Sequence, residues 1–117
     1  MRPEGRDAAY LWDILEAARA VQRYTSGRSR TAFDADRILQ RAVERELEII
    51  GEAAARVSDT LKAAHPEVPW KLMVGQRNVL IHDYGDIDYD RLWVVVVDHV
   101  PKLVLLIQPL VPKLPET

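Results

Sequence analysis

Cysteine is absent from this chain of 117 residues, which excludes disulfide bonds, thiolate zinc sites and cysteine nucleophiles. An excess of basic residues is absent as well: 16 lysines and arginines stand against 18 aspartates and glutamates, for a net charge of −2. Proteins that coat nucleic acid usually carry a strong basic excess, so the composition excludes a general polyanion binder. Because 48% of the residues are hydrophobic, the chain can still bury the core of one domain.

A long, uncharged apolar segment is also missing. The nearest candidate, residues 94–107, is interrupted by Asp98, His99, Pro101 and Lys102, whereas a membrane-spanning helix needs about 20 predominantly apolar residues. The N-terminal sequence MRPEGRD carries charges and leads into no apolar run of the kind found in signal peptides. We therefore expect a soluble, cytoplasmic protein that does not contact membranes.

Apolar residues that step by three and four predict two helices in the first half of the chain. In the first helix Asp7 is the predicted cap, and Gly27 lies in the loop that ends it. The second helix is predicted to run unbroken from Asp34 to Ala64. Its two apolar rows comprise Leu39, Val43, Leu47, Ile50, Ala54, Val57 and Leu61, and Ile38, Ala42, Ile49 and Ala53. Two rows leave two alternatives open: burial on both sides within one bundle, or contact of one row with another subunit.

Two further helices are predicted in the second half. Pro69 fits the first turn of the third helix, and Gly85 is a natural place for it to end. The segment VVVV favours a strand on propensity, but the row Trp93, Val97, Val100, Val104 and Ile107 has helical spacing. We predict a helix there, kinked at Pro101. The outcome is an all-α bundle of four helices over residues 1–108, followed by a proline-rich tail, 109–117, that is extended or disordered.

The segment QRNVLIHDY, residues 76–84, crowds polar side chains onto the third helix. At 100° per residue, Asn78 and His82 share a face, and Tyr84 returns to within about 20° of Arg77. Arg77 and His82, however, lie about 140° apart, so a straight helix does not bring them to one spot. Either the helix end distorts near Gly85, or two copies of the segment meet in a symmetric dimer.

Arg77 and His82 suit the cleavage of RNA without a metal. His82 could take the proton of a 2′-hydroxyl, because histidine titrates near neutral pH. Arg77 could hold the phosphate that this oxygen attacks, leaving a 2′,3′-cyclic phosphate and a 5′-hydroxyl. On spacing alone, an arginine and a histidine on one helix are more often a surface pair or a capped helix end.

Other polar groups have plainer interpretations. Asp86, Asp88 and Asp90 resemble the start of a calcium loop but lack its glycine and its final acidic residue. The rows Arg37, Arg41, Arg45 and Glu44, Glu48, Glu52 predict a solvated, charge-paired surface. His99 lies in an apolar row and is interpreted as a packed or interface histidine rather than a ligand.

The segment RNVLIHDY resembles the R-x-x-x-x-H-x-Y signature of HepT-type toxins, a branch of the HEPN superfamily. Four consecutive blocks are similar to the same family: LWDILEAARAVQRYTSG, LEIIGEAAARVS, HPEVPWKLMVGQRNVLIHDY and DYDRLWVVVVDHVPKL. The resemblance therefore covers about residues 6–107. It implies an antiparallel four-helix HEPN bundle that forms a homodimer, with two motif helices lining a shared cleft. It also implies a metal-independent endoribonuclease that acts as the toxin of a type VII-like toxin–antitoxin system.

The resemblance also implies roles for single residues and a partner. Arg77 and His82 would be catalytic, with Asn78 assisting, and no metal or cofactor would be held by this chain. The partner would be a minimal nucleotidyltransferase antitoxin that uses ATP to attach AMP to Tyr84. The alternative is a non-catalytic HEPN module that binds nucleotide or docks the nucleotidyltransferase.

Overall fold

A computed structural model describes the backbone of residues 5–82 and 87–112, and the side chains of residues 5–76 and 87–112. All regular elements within these ranges are helical, which confirms the predicted all-α class. In chain order they are α1 (Arg6–Thr25), α2 (Arg30–Ala35), α3 (Arg37–Arg56), α4 (Asp59–Ala64), α5 (Trp70–His82), α6 (Tyr89–Val94), a π-helical turn (Val95–His99), α7 (Val100–Ile107) and a 3₁₀ turn (Gln108–Leu110).

The core lies where α3 packs on α1 and α5, and where α7 packs on α1. Its most deeply buried large side chains are Phe33, Leu11, Ile14, Leu61, Ile107, Val21, Val43 and Val100. The ring of Phe33 contacts that of Trp93 with centroids 5.1 Å apart, which attaches α2 to α6. The result is a single helical bundle in which α5, the helix of the RNVLIHDY motif, is supported by α3.

The single helix predicted from Asp34 to Ala64 is wrong, because the chain forms three helices there. Asp36 has an extended backbone, and its carboxylate accepts a hydrogen bond from the Leu39 N–H at 3.0 Å. Ser58 repeats this arrangement with the Leu61 N–H at 3.2 Å. Aspartate and serine favour such N-caps over helix interiors because their side chains satisfy the free N–H groups of a first turn.

The two apolar rows of this region have different surroundings. All seven residues of the longer row, from Leu39 to Leu61, are buried. In the second row Ala53 is buried, but Ile38 is 84% exposed. The single chain therefore does not bury both rows, and contact of the second row with another subunit stays a prediction.

Asp7 does not cap α1 as predicted, because Gly5 occupies the N-cap position. Instead, the Asp7 carboxylate accepts hydrogen bonds from the N–H of Ser58 at 2.9 Å and from its hydroxyl at 2.6 Å. A pattern of neighbouring residues carries no sign of this contact, because it joins positions 51 residues apart. At the other end of α1, Gly27 lies in the loop as predicted, with a positive φ of 73° that glycine adopts without strain.

The last segment is helical, as its spacing predicted, but it is not regular. A π-helical turn, Val95–His99, precedes Pro101, and the Val100 N–H donates to the carbonyl of Val95. Proline supplies no N–H and disturbs the preceding turn, which is where such a bulge forms. The bulge shifts the helical register: Val95 and Val96 are buried, whereas Val97, predicted in the buried row, is 51% exposed.

The helix extends slightly beyond its predicted end. Pro109 and Leu110, placed in the extended tail by the sequence, belong to the 3₁₀ turn, and extended backbone begins at Val111. Leu110 and Val111 pack against the core. Residues 113–117 of the predicted tail lie outside the described residues.

By length and composition alone, Tyr89–Leu110 could cross a membrane, since its mean hydropathy reaches 1.5. Val100, Leu103 and Ile107 of this stretch are nevertheless buried in the core, and α7 packs on α1. A core helix of a soluble protein can have the same length and composition, and here about 33% of the apolar window is buried inside the bundle.

Candidate active site

The motif helix α5 has a firmly anchored beginning. Pro69 immediately precedes it, and the Pro69 carbonyl accepts a hydrogen bond from the Met73 N–H at 3.1 Å. The Trp70 indole is buried and donates from Nε1 to the carbonyl of His65 at 3.0 Å. Trp70 and Met73 belong to the same buried cluster as α3, so packing sets the direction in which α5 leaves the core.

The predicted catalytic positions lie in the second half of α5, whose backbone is helical through His82. On this backbone positions 78 and 82 are one turn apart, and positions 77 and 82 are separated by about 140° around a straight axis. The side chains of Arg77, Asn78 and His82 lie outside the described residues, as does the whole of Tyr84. Their roles therefore stay predictions.

A groove of about 670 Å³ opens beside α5, bounded also by α3 and α6, and we name it the α5–α6 groove. Its apolar lining is Leu47, Leu72, Ile87, Leu92, Val94 and Val95. Its polar lining is Lys71, Gln76, Asp88, Arg91 and His99. Ligand sites typically measure about 300–1,000 Å³ and combine apolar walls with a few polar groups, so the groove has the size and character of a ligand site.

Two cations in the groove are available to a ligand. Within the described part of the chain, the side chains of Lys71 and Arg91 have no carboxylate partner. The Asp88 carboxylate also lines the groove, but its Oδ1 accepts hydrogen bonds from the backbone N–H groups of Asp90 and Arg91 at 3.1 and 3.2 Å. Asp88 thus acts as the N-cap of α6 and keeps its negative charge, so the described lining of the groove carries two unpaired cations and one carboxylate, an excess of one positive charge.

Four arginines outside the groove, Arg28, Arg30, Arg41 and Arg45, are paired with carboxylates. Arg41 contacts Glu44 at 3.1 Å, and Arg45 contacts Glu48 at 3.1 Å, which confirms the charge pairing predicted on α3. Arg30 contacts both Asp34 and Asp90. Paired arginines attract an outside phosphate less strongly, because their charge is already balanced.

Glu44 departs from the predicted solvated surface, since it is only 8% exposed. Burial raises its pKa, and the nearby Arg41 guanidinium opposes this rise without cancelling it. Arg41 donates to Oε1, whereas Oε2 has no hydrogen-bond partner among the described residues. The Tyr89 hydroxyl lies near enough to lower the pKa slightly, although no hydrogen bond of normal geometry joins it to Glu44. A buried carboxylate with a free oxygen favours its protonated form.

His99 and Asp88 make ordinary structural contacts. His99 is half-buried on the lining of the groove, and its Nε2 lies 3.9 Å from the Asp98 carboxylate. Within residues 5–76 and 87–112, no group of three His, Asp or Glu side chains could hold a metal ion. Asp88 serves as a helix cap, which agrees with setting the calcium-loop interpretation aside.

Comparison with known protein families assigns the chain to one of them. Residues 14–110 match the family described as "Ribonuclease HepT-like". The chain belongs to the HepT-like ribonuclease family. This confirms the resemblance drawn from the RNVLIHDY motif, together with the predicted HEPN-type helical fold and the enzyme class, a ribonuclease.

Several relatives of this HepT-like chain align over most of their length. It is 45% identical over 95 residues to a Methanocaldococcus jannaschii protein named "Putative RNase", which covers 81% of this chain and 87% of that one. It is 40% identical over 94 residues to "Probable ribonuclease HepT" of Thermococcus cleftensis, covering 80% and 86%. A "Putative RNase" of Caldanaerobacter subterraneus is 36% identical over 94 residues, covering 80% and 84%. No solved structure matches the chain.

Lys71 and Arg91 line the groove of this HepT-like bundle, although their sequence positions did not predict it. For Lys71 a signal existed, because it precedes Asn78 by seven residues and His82 by eleven, which are helical intervals. For Arg91 no local signal existed, because only the tertiary arrangement of the helices places it on a groove that α5 also lines.

Proposed function

We propose that this chain is a toxin that cleaves RNA internally without a metal, using His82 and Arg77 with the assistance of Asn78. The observation that carries the proposal is the R-x-x-x-x-H-x-Y motif, found in a chain of the HepT-like ribonuclease family and borne through His82 on the helical backbone of α5. His82 and Arg77 supply the two chemical functions that the reaction needs, a proton acceptor and a phosphate-binding cation.

The reaction proceeds by attack within the RNA strand. The His82 imidazole accepts the proton of a 2′-hydroxyl, and the freed oxygen forms a bond to the adjacent phosphorus. Arg77 donates hydrogen bonds to the non-bridging oxygens, on which negative charge grows. The bond from phosphorus to the 5′-oxygen breaks, and that oxygen takes up the proton that the imidazolium gives back, which restores neutral histidine. The products are a 2′,3′-cyclic phosphate and a 5′-hydroxyl.

The active unit in this proposal is a homodimer. A separation of about 140° between positions 77 and 82 keeps them from one spot on a straight helix, whereas two α5 helices related by a twofold axis can bring them together. Ile38, in the second apolar row of α3, is 84% exposed, which supports contact with a further molecule. RNA cleavage would then depend on dimer formation.

Control of the toxin comes from a nucleotidyltransferase partner. That enzyme would transfer AMP from ATP to the hydroxyl of Tyr84 and release pyrophosphate. Tyr84 is seven residues from Arg77, so on a continuing helix the new phosphate would lie near the guanidinium that should receive RNA. The toxin and its partner would act in the cytoplasm, where the RNA is.

His82→Ala tests the catalytic proposal. We expect the variant to lose RNA cleavage and growth inhibition, while circular dichroism and light scattering show an intact dimer. His65→Ala is the matched control, because it removes an imidazole that pairs with Glu67 outside the groove. Cleavage that survives in His82→Ala, or wild-type dimer that never cuts RNA, would favour the alternative of a non-catalytic nucleotide-binding or docking module.

A further inference from the structure

Lys71 shares a line of α5 with two motif positions. At 100° per residue, positions 71, 78 and 82 fall within about 40° of one another around the helix axis. Lys71 lies about 16 Å from position 82 along that axis, at ~1.5 Å per residue. Neighbouring phosphates of one RNA strand are closer than this. A strand that places one phosphate at His82 and follows α5 would therefore present a different phosphate to Lys71.

Arg91 adds a second cation across the groove from Lys71. The two residues belong to different helices, α5 and α6, and both line the α5–α6 groove. Neither has a carboxylate partner within the described ranges. Because the chain as a whole carries a net charge of −2, it attracts a polyanion only where cations are left uncompensated.

The walls between these cations are apolar. Leu72 and Val94 are partly exposed at the groove, and Leu47, Leu92 and Val95 are buried behind them. A volume of about 670 Å³ is large enough for a ligand of nucleotide size. Cations beside an apolar surface match the two parts of a nucleotide, a charged phosphate and a base that can be removed from water.

We propose that the α5–α6 groove is an RNA subsite, in which Lys71 and Arg91 hold a backbone phosphate and the Leu72–Val94 wall receives the base of a nucleotide away from the cleaved bond. This inference rests on the proposed ribonuclease function and extends it. It makes Lys71 and Arg91 binding residues for the substrate strand, separate from the chemistry at His82.

The test measures RNA binding by the full chain carrying His82→Ala, so that the probe is not cleaved. The probe is a fluorescent single-stranded RNA of mixed sequence, about 20 nucleotides long, followed by anisotropy at several salt concentrations. Adding Lys71→Ala and Arg91→Ala should weaken binding roughly tenfold at low salt. The slope of log affinity against log salt should become shallower by about 0.7 for each phosphate that the protein no longer neutralises.

Two comparisons make the test specific. Arg37→Ala with Lys62→Ala removes the same charge from positions outside the groove and should leave affinity and slope unchanged. Leu72→Asn keeps the charge and should weaken binding without changing the slope, since it alters only the wall. Lys71 and Arg91 are exposed, so their removal leaves the core intact, which thermal unfolding checks.

Three results would overturn the inference. The first is equal binding and an equal salt slope with and without the Lys71 and Arg91 substitutions. The second is an equal loss in the Arg37 and Lys62 control, which would mean that only total charge matters. The third is a change from dimer to monomer in light scattering, which would assign the groove to a second copy of the chain. If wild-type protein neither binds nor cleaves RNA, the proposed function itself fails, and the inference fails with it.

Discussion

Asp7 at the beginning of α1 and Ser58 at the beginning of α4 are joined by two hydrogen bonds, although 51 residues separate them. The Ser58 hydroxyl donates to Asp7 at 2.6 Å and accepts from the Leu61 N–H at 3.2 Å. One side chain thus caps α4 while the other attaches that cap to α1. The contact links the beginnings of two helices that no pattern of neighbouring residues connects.

Asp7→Ala is expected to lower the free energy of unfolding by about 1 kcal/mol, because it removes two hydrogen bonds to a helix cap. Asp13→Ala, at an exposed position of the same helix, is the control and should change stability little. Denaturant unfolding of Asp7→Ala, Ser58→Ala and the double variant measures the coupling between the two residues. Strictly additive losses would contradict an energetic link.

Glu44→Gln should remove a pH dependence of stability. Burial raises the pKa of Glu44 in the folded protein, so just above the pKa of the unfolded chain the folded state holds more protons. Stability contributed by this group therefore falls as pH rises through that interval. Glutamine does not titrate, so the melting temperature of the variant minus that of wild type should increase with pH.

Thermal unfolding between about pH 4 and 7 measures this difference, over the range in which a raised glutamate pKa acts. Glu16→Gln, at an exposed position of α1, is the matched control for general effects of lost charge. The melting temperature of Glu44→Gln minus that of wild type could instead be constant with pH or decrease as pH rises. Either result would show that ionisation of Glu44 does not destabilise the folded protein.

The proposed reaction makes the 2′-hydroxyl indispensable. A substrate with a single 2′-deoxynucleotide on the 5′ side of the cleaved bond should resist cutting there, because the attacking oxygen is missing. Cleavage of the unmodified RNA should continue in EDTA, and its products should end in a 2′,3′-cyclic phosphate. Mass spectrometry of the fragments shows where the RNA is cut and whether the products end in a cyclic phosphate. Cleavage of the deoxy-substituted bond, or activity that requires a divalent ion, would rule out this mechanism.

Tyr84→Phe should prevent modification by the nucleotidyltransferase partner. With partner and ATP, the intact mass of the wild type should rise by at least one AMP, whereas the variant, which lacks the acceptor hydroxyl, should stay unchanged. Tyr24→Phe is a control for tyrosine loss, since the Tyr24 hydroxyl already donates to Glu46 at 3.0 Å. Modification that persists in Tyr84→Phe would place the acceptor elsewhere, while the catalytic proposal for His82 would be unaffected.

Helix positions were largely predictable because apolar periodicity is a local property of the chain. The buried row from Leu39 to Leu61 and the choice of helix for the VVVV segment were both correct. The breaks at Asp36 and Ser58 were missed, since the same apolar spacing continues across them while the caps interrupt the backbone. The π-helical turn before Pro101 was missed in detail, because proline indicates a disturbance without specifying its form.

The sequence by itself determined the helical class, the family and the set of motif residues, because spacing along one helix is set by the order of residues. Only the tertiary structure decided that Asp7 meets Ser58, that Glu44 is buried, and that Lys71 and Arg91 line one groove. These relationships depend on how separate helices pack. Packing is a property of the whole core, so residues distant along the chain acquire neighbours that no local pattern contains.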